Sequence, residues 1–311
     1  MNGQQWFTRP LGIWSSSLIA TILWGSALPF IKLSYAHLGI QSHDIFAQWL
    51  FAGYRFTLAG LLLMVLAKIL NPKGQPIPHI PAKRLISLSM FQTLLQYIFV
   101  YAALGLGSGM TMSIIAGSVS LFQMLSIRWI DQTERLSMRK WFGLLLGFTG
   151  IAVMGFGQSG GNVHFGFGLG ELLMLLSALT GGWGNVLARR EAGIEPVLSL
   201  TGRQMFWGGL GLVVIGSLTG HPFPFHWNLA AVGMLLYLVV LSAGAFALWN
   251  TVMKYNKVGK VSMYLFLTPL FGVVLSALWL DEKLSIWAAL ALILVASGII
   301  LVNRERIVHK E

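Results

Sequence analysis

The amino-acid sequence repeats itself at one fixed interval. A shift of 148 residues, the interval from Arg55 to Arg203, brings the two halves of the chain into register. A shift that holds from Arg55 to Ile151 indicates an internal duplication, and we place its two copies at residues 1–157 and 158–311. The other matching segments are Thr-Glu-Arg-Leu-Ser at 133–137 with Asp-Glu-Lys-Leu-Ser at 281–285, Gly60 with Gly208, Leu144 with Leu292, and Gly150-Ile151 with Gly298-Ile299.

The composition of the chain predicts a membrane protein. Hydrophobic residues make up 56% of the 311 residues and charged residues only 10%, a balance that water-soluble domains do not tolerate. The net charge of +11 resides in short loops between apolar segments. This pattern is typical of cytoplasmic loops and does not indicate nucleic-acid binding. We therefore expect the lipid bilayer, and no nucleic acid, as a partner.

Ten apolar segments of about 20 residues have the length that crosses a bilayer as a helix. Lys and Arg concentrate in alternate loops, as in Lys83-Arg84 and Arg189-Arg190, which predicts a multi-pass protein of the inner membrane with both termini in the cytoplasm. Five segments per half make the second half enter from the opposite face. The expected fold is thus an all-α integral membrane protein of ten transmembrane helices in two inverted five-helix repeats. The segments lie near 13–35, 46–68, 86–106, 111–130, 139–157, 168–190, 199–218, 229–252, 258–280 and 286–303.

Several motifs resemble the EamA-type branch of the drug/metabolite transporter superfamily. They are Leu-Trp-Gly-Ser at 23–26, Phe30-Ile31-Lys32, Arg55, Glu-Arg-Leu-Ser at 134–137, Glu-Lys-Leu-Ser at 282–285, Thr268-Pro269, and Gly182-Trp183-Gly184-Asn185. The resemblance covers essentially the whole chain. It implies a ten-helix inverted-repeat carrier whose central cavity is lined mainly by spans 1, 3, 4, 6, 8 and 9, and which exports amino acids, other small metabolites, drugs or nucleotide-linked compounds. Leu121 replaces a proline that the family often has in span 4, so a kink there is not implied.

Four charged residues lie in or at the ends of the predicted spans, where ionisable groups are costly and are therefore functional candidates: Lys32, Arg55, Glu171 and Arg203. One interpretation is that Arg55, Arg203 or both neutralise a substrate carboxylate or phosphate. The other is that each caps the end of a neighbouring helix or extends to the membrane interface. The duplication favours the second interpretation. Glu171 is either a proton carrier or, as favoured at a helix start, a partner of the helix dipole. Lys32 either extends to the outer interface or forms a gating ion pair.

Neutral polar and aromatic side chains near the middle of the spans are the predicted substrate-binding residues. Such groups bind a zwitterion or a polar aromatic solute by hydrogen bonds and stacking, and the alternative is packing between helices. Gln92 and Gln96 are expected to share one helix face. The full set is Trp24, Ser26, Gln92, Gln96, Tyr97, Ser118, Trp183, Asn185, Tyr237 and Asn250.

These patterns predict a secondary transporter. The sequence shows no nucleophile triad, carboxylate pair or metal-ligand cluster, and it contains no cysteine, so we expect no enzyme activity and no cofactor. The expected activity is export of small polar or amphipathic metabolites such as amino acids by alternating access. The alternative is a proton-coupled multidrug efflux transporter; a membrane-embedded enzyme and a channel are further alternatives. A monomer is feasible because one chain contains both halves, and a dimer is compatible with the sequence.

Overall fold

A computed structural model describes residues 3–41, 43–71, 76–106, 115–130, 137–158, 168–219, 225–279 and 286–303. Within these ranges the chain forms helices and no strand. The helices are α1 (Gly3–Thr8), α2 (Pro10–Leu38), α3 (Ile45–Ile69), α4 (Ala82–Ser89), α5 (Leu95–Leu106), α6 (Val119–Ile130), α7 (Met138–Gln158), α8 (Leu169–Glu191), α9 (Val197–Gly216), α10 (Leu229–Tyr255), α11 (Val258–Val261), α12 (Leu267–Trp279) and α13 (Ile286–Asn303). A π turn at Met90–Leu94 joins α4 to α5, and a 3-10 turn at Ser262–Phe266 joins α11 to α12.

Five helices in the described ranges are long and apolar enough to cross a membrane: Pro10–Leu38, Ile45–Ile69, Ala82–Leu104, Leu169–Glu191 and Leu229–Tyr255. Shorter apolar helices lie at Val119–Ile130, Val258–Gly272 and Ala289–Val302. The predicted spans 1, 2, 3, 6 and 8 coincide with the five long helices. The remaining predicted spans fall on α6, α7, α9, α11 with α12, and α13. Their crossing of the membrane, and hence the ten-span inverted topology, stays a prediction.

Capping residues determine where several of these helices begin and end. The carboxylate of Asp44 accepts a hydrogen bond from the Ala47 N–H at 3.0 Å at the start of α3. The amide oxygen of Asn228 does the same for the Ala231 N–H at 2.8 Å at the start of α10. These contacts satisfy amides that have no partner inside the helix. Gly39 ends α2 with φ of 73°, a left-handed conformation that favours glycine.

Helices α3 and α9, which the 148-residue shift superimposes, pack tightly against each other. A Cβ atom on Gly60 would lie 2.4 Å from the backbone nitrogen of Phe206, and one on Gly216 would lie 2.5 Å from that of Leu50. Residue numbers fall along α9 as they rise along α3, so the two helices are antiparallel. Glycine permits this approach because it has no side chain to separate the backbones.

Helices α7 and α13 form the second pair related by the shift. A Cβ atom on Gly143 would lie 3.1 Å from the carbonyl oxygen of Gly298, and a Cβ atom on Gly298 would lie 2.8 Å from the carbonyl oxygen of Gly143. A Cβ atom on Gly150 would lie 2.9 Å from the carbonyl oxygen of Ala291. The shift relates Gly143 to Ala291 and Gly150 to Gly298, so the two contacts are equivalent, as expected where two copies of one helix meet around a twofold axis.

The outer surface of the bundle is apolar. Large hydrophobic side chains stand exposed along the helices, among them Leu145, Val214, Val240 and Ile293, each more than 60% exposed. Such a surface is stable in hydrocarbon and not in water, which agrees with a position in the bilayer. The charged residues Arg84, Glu191, Glu195 and Lys254 lie at one end of the bundle, where α4 and α9 begin and α8 and α10 end. We call it the basic end.

Candidate functional site

A central cavity of about 230 Å³ lies among α2, α3, α5, α6, α8, α10 and α12. Both halves of the chain contribute to its wall. Its polar lining consists of Arg55, Gln96, Tyr97, Tyr101, Ser177, Asn185 and Thr268, and its apolar lining includes Trp24, Ile31, Val100, Met174, Phe246, Leu265 and Pro269. A larger cleft of about 360 Å³ lies at the basic end between Leu70, Pro196 and Tyr255. We assign the functional site to the central cavity because the cavity is surrounded by helices and contains a buried charge.

Arg55 is the charged residue of this cavity. The residue lies near the middle of α3 and is only 2% exposed. Its Nε donates a hydrogen bond to the Ser242 hydroxyl of α10 at 2.5 Å, and its guanidinium carbon lies 4.9 Å from the ring centre of Phe56. Within the described ranges no carboxylate pairs with Arg55, and no carbonyl oxygen accepts a hydrogen bond from its Nη groups. The Tyr101 hydroxyl lies close enough to Arg55 and Tyr35 to interact with both, although neither contact within the described ranges has the geometry of a good hydrogen bond.

Aromatic rings surround the space beside Arg55. The ring of Tyr97 lies 4.2 Å from that of Phe56, measured between centroids. Trp24 packs edge-on against Phe246 at 5.2 Å and against Trp249 at 5.9 Å. This wall provides flat apolar surfaces against which the body of a small solute packs.

A network of buried amides borders the cavity on the side of the basic end. Gln92 Nε2 donates to Asn185 Oδ1 at 2.9 Å and to Asn250 Oδ1 at 3.1 Å. Asn185 Nδ2 donates to Gln123 Oε1 at 2.7 Å, and Asn250 Nδ2 donates to Thr201 Oγ1 at 3.0 Å. Because these groups bind one another, they hold α6, α8, α9 and α10 together and leave few hydrogen bonds for a solute.

Arg203, which the shift superimposes on Arg55, has different surroundings. It lies on α9 near the basic end, where its Nη1 donates to Glu195 Oε2 at 2.8 Å. Glu195 also accepts hydrogen bonds from the Ser199 hydroxyl at 2.6 Å and the Ile80 N–H at 3.1 Å, and its Oε1 lies 3.1 Å from His79 Nδ1. Arg203 is therefore one member of an ion cluster that joins the segment before α4 to the α8–α9 connection.

The protonation of Glu195 follows from these contacts. Burial opposes its ionisation and by itself raises the pKa of the carboxyl group. The hydrogen bonds from Ser199 and Ile80 and the charge of Arg203 outweigh burial, so the pKa of Glu195 is lowered from its ordinary value. The carboxylate is thus charged at neutral pH and belongs to the ion cluster rather than to a proton pathway.

Comparison with known proteins identifies the family. The profile of the EamA-like transporter family matches residues 12–156 and 168–304, nearly the whole sequence. The chain belongs to this family. The resemblance to the EamA-type branch of the drug/metabolite transporter superfamily is thereby confirmed, and the family indicates that this EamA-like protein is a membrane transporter.

Relatives of this EamA-like protein occur in several organisms. An uncharacterized transporter of Bacillus subtilis, YvbV, is 28% identical over 91% of this chain and 89% of its own length. A WAT1-related chloroplastic protein of Arabidopsis thaliana is 27% identical over 88% of this chain and 64% of its own. A solved crystal structure with 20% sequence identity aligns with a TM-score of 0.72 over 93% of this chain and 95% of that one. At this identity the last match shows a shared fold only.

Four of the predicted substrate-binding residues of this EamA-like protein line the cavity: Trp24, Gln96, Tyr97 and Asn185. Asn185 also belongs to the amide network. The backbone oxygen of Gln96 accepts a hydrogen bond from Ser177, whereas its side-chain amide has no partner within the described ranges and adjoins Gly181. Gln96 is therefore a neutral side chain with hydrogen bonds available at this site.

The other predicted substrate-binding residues lie outside the lining. Ser26 and Tyr237 hydrogen-bond each other at 2.9 Å, and Gln92 and Asn250 are occupied in the amide network. Ser118 donates to the carbonyl oxygen of Ile115, one turn earlier in its own segment, at 2.6 Å. The Trp183 ring packs against Phe91 at 6.2 Å, beside the apolar cluster near the basic end.

Glu171 and Lys32 also lie outside the cavity lining. Glu171 Oε2 accepts a hydrogen bond from the Gly168 N–H at 2.9 Å at the start of α8, which is the contact expected of a helix-capping carboxylate. Lys32 is exposed on α2 and forms no hydrogen bond or ion pair with any residue that the structure describes. Within the described ranges, Glu171 forms no ion pair with Arg55.

Several residues of the site escaped the sequence interpretation. Ser242 orients Arg55, and Ser177 and Thr268 line the cavity. Serine and threonine are common inside transmembrane helices, so their type carried no signal. Thr268 belongs to the Thr268-Pro269 motif, which could have indicated it. Glu195 lies between two spans, where a charged residue is unremarkable without knowledge of its contacts. Among the described residues no cluster of metal-ligating side chains is present.

Proposed function

We propose that this protein is a secondary transporter that exports small polar or amphipathic metabolites, such as amino acids, across the inner membrane by alternating access. The observation that carries the proposal is the central cavity, whose wall combines helices from both halves of the chain. In carriers built from repeats, the solute site lies at the interface of the halves, which rock against each other around it. One chain supplies both halves, so a monomer suffices.

The packing of α3 against α9 supports an inverted arrangement of residues 1–157 and 158–311. These helices occupy equivalent places in the two copies and run antiparallel. Equivalent helices with opposite directions are what an inversion of the second copy requires. The family profile also matches two separate stretches of similar length, 12–156 and 168–304.

The size and lining of the cavity favour metabolites over drugs. Sites for drug-sized molecules typically occupy about 300–1,000 Å³, whereas this cavity has about 230 Å³. A cationic drug pump is expected to hold a buried carboxylate, and the described lining contains none. Glu171, the residue considered for proton-coupled efflux, caps its own helix. We therefore expect Glu171→Gln to leave the rate and pH dependence of transport unchanged, and a loss of either would favour the multidrug alternative.

Transport is tested with the purified protein in liposomes. We expect saturable uptake and counterflow of at least one solute from a panel of amino acids and other small metabolites. Gln96→Leu, which alters the cavity, should change the apparent KM or the rate. Ser118→Ala, which removes a hydroxyl outside the lining, should change neither. If no solute moves, or if flux rises linearly with concentration and shows no counterflow, the carrier hypothesis is wrong.

The topology is tested by labelling single cysteines, since the natural sequence contains none. Lys32 and Lys83 are exposed near opposite ends of the bundle. In intact cells, a membrane-impermeant maleimide should label Lys32→Cys at once and Lys83→Cys only after permeabilisation. The reverse pattern would place the termini outside the cell.

A further inference from the structure

We infer that Arg55 binds the carboxylate group of the transported solute, which makes the substrate class small monocarboxylates. This inference rests on the proposed transport function and adds the chemistry of the solute. It begins from an energetic imbalance: a guanidinium that is 2% exposed has lost its hydration, and burying a charge is costly unless an opposite charge or sufficient hydrogen bonds replace the water.

The protein provides hydrogen-bond acceptors for only some of the N–H donors of the Arg55 guanidinium. Arginine has five N–H donors, and Ser242 accepts from Nε. The four donors on the Nη groups have no carbonyl or carboxylate acceptor within the described ranges, and the nearby Tyr101 hydroxyl does not reach them with good hydrogen-bond geometry. Arg55 lines the cavity, and its Nη atoms are not among the fully enclosed polar atoms without a partner. They are therefore open to the cavity, in the planar arrangement that binds a carboxylate through two parallel hydrogen bonds.

A purely structural role does not account for Arg55. A residue near the middle of α3 cannot cap an end of that helix, and the hydrogen bond from its Nε goes to the Ser242 side chain rather than to a carbonyl at another helix end. Arg203 shows what the structural role looks like in this protein, with a carboxylate of the same chain at 2.8 Å. The equivalent arginine of the first half lacks that carboxylate and has a cavity in its place.

The remaining lining defines the rest of the solute. Arg55 is the single charged side chain among the described lining residues, so one negative charge on the solute balances the site. A phosphate monoester would bring nearly two charges. Trp24, Tyr97 and Phe246 offer apolar faces for a hydrocarbon body, and ring faces also accommodate an ammonium group if the solute has one. Gln96 supplies an amide for one further polar group.

The binding experiment uses the full-length protein in lipid nanodiscs and two matched pairs of probes. The pairs are 3-phenylpropionate with 3-phenylpropanamide, and L-phenylalanine with L-phenylalaninamide. Hydrogen bonds to a charged group contribute enough that we expect each carboxylate to bind about 10- to 100-fold more tightly than its amide. Inorganic phosphate should not compete with 3-phenylpropionate. Equal affinity within both pairs, or competition by phosphate at lower concentrations than 3-phenylpropionate itself, would overturn the inference.

Variants locate the effect. Arg55→Gln should abolish the difference between carboxylate and amide, and Arg55→Lys, which keeps the charge but not the two parallel hydrogen bonds, should retain part of it. Lys32→Gln removes one positive charge outside the cavity and should bind like the natural protein. If Arg55→Gln does not fold, Ser242→Ala provides the test, because loss of the orienting hydrogen bond should reduce the discrimination. If Arg55→Gln, or Ser242→Ala in its place, still binds each carboxylate more tightly than its amide by the same factor as the natural protein, the assignment is wrong.

The two proposals fail in different ways. If liposomes transport neutral or cationic solutes but no carboxylate, Arg55 is not a carboxylate site and the transport function stands. If no solute of any charge is transported, the transport function itself fails.

Discussion

Replacement of Gly60 by alanine tests the contact between the two equivalent helices α3 and α9. The added Cβ atom would lie 2.4 Å from the backbone nitrogen of Phe206 and 2.6 Å from the carbonyl oxygen of Gly202. Ordinary van der Waals contacts begin near 3.4 Å. Because both neighbours are backbone atoms, they cannot turn aside as the end of a side chain can. The helices must therefore separate by roughly 1 Å or tilt.

The expected cost of this separation is substantial. Inserting one methyl group into a filled interface costs about 1–3 kcal/mol. At about 2–4 °C per kcal/mol, as for domains of 150–250 residues, the melting temperature should fall by about 2–12 °C. The assay is thermal unfolding in detergent, in which the fraction of protein that remains monodisperse is measured after heating.

A matched control for Gly60→Ala is available in α10. A Cβ atom on Gly233 would meet nothing within 4 Å, so Gly233→Ala should be neutral or slightly stabilising. Gly209→Ala strikes the same interface from the other helix, where its Cβ atom would lie 2.5 Å from the Thr57 nitrogen. The double variant should lose less stability than the two single losses combined, because one separation accommodates both methyl groups. A Gly60→Ala protein as stable as Gly233→Ala would refute this account of the interface.

Two further predictions concern the buried polar groups. Glu195→Gln should destabilise the protein by about 1–3 kcal/mol, because Arg203 loses its charged partner. The pKa of Glu195 is lowered in the folded protein, so its contribution to stability is complete above the ordinary value of 4.5 and is lost as the pH falls through the folded pKa. The melting temperature should therefore change less between pH 7 and pH 3 in Glu195→Gln than in the natural protein. An equal change in both proteins would contradict this. Gln92→Leu should lower the stability by about 1–3 kcal/mol for each amide oxygen left without its hydrogen bond, those of Asn185 and Asn250. Ser118→Ala should lower it little in the same thermal assay. Equal losses of stability in the two variants would contradict the role of the network.

The apolar segments of the sequence were sufficient to locate the helices, and the motifs were sufficient to indicate the family. The apolar segments could not show the π turn at Met90–Leu94. Gln92 and Gln96 were predicted to share a face, as a spacing of four residues requires in a regular α-helix. Both residues lie against α8, Gln92 at Gly184 and Asn185 and Gln96 at Gly181. Gln92 is fully buried in the amide network, whereas Gln96 lines the cavity.

Sequence comparison within the chain also concealed the difference between the two arginines. The shift makes Arg55 and Arg203 look equivalent, and this equivalence favoured a structural role for both. Whether a buried arginine has a partner depends on a residue distant in sequence or in a different loop, and no local pattern reveals it. Trp24, Gln96 and Tyr97 could be assigned to the lining from their type and depth, because aromatic and amide groups at mid-span are uncommon without a packing or binding role.

The ion cluster around Glu195 breaks the equivalence of the two faces of the carrier. It joins His79 and Ile80 of the first half to Glu195 and Arg203 of the second half at the basic end. The 148-residue shift places Ala47 opposite Glu195, so the first half has no carboxylate at the equivalent position with which to build the same ion cluster. Two identical inverted halves would open to either side at equal free energy. If the proposed alternating access operates, opening toward the basic end would also break this ion cluster, whereas opening toward the opposite side would leave it intact. A single position at which the duplicated halves have diverged would then bias the resting state.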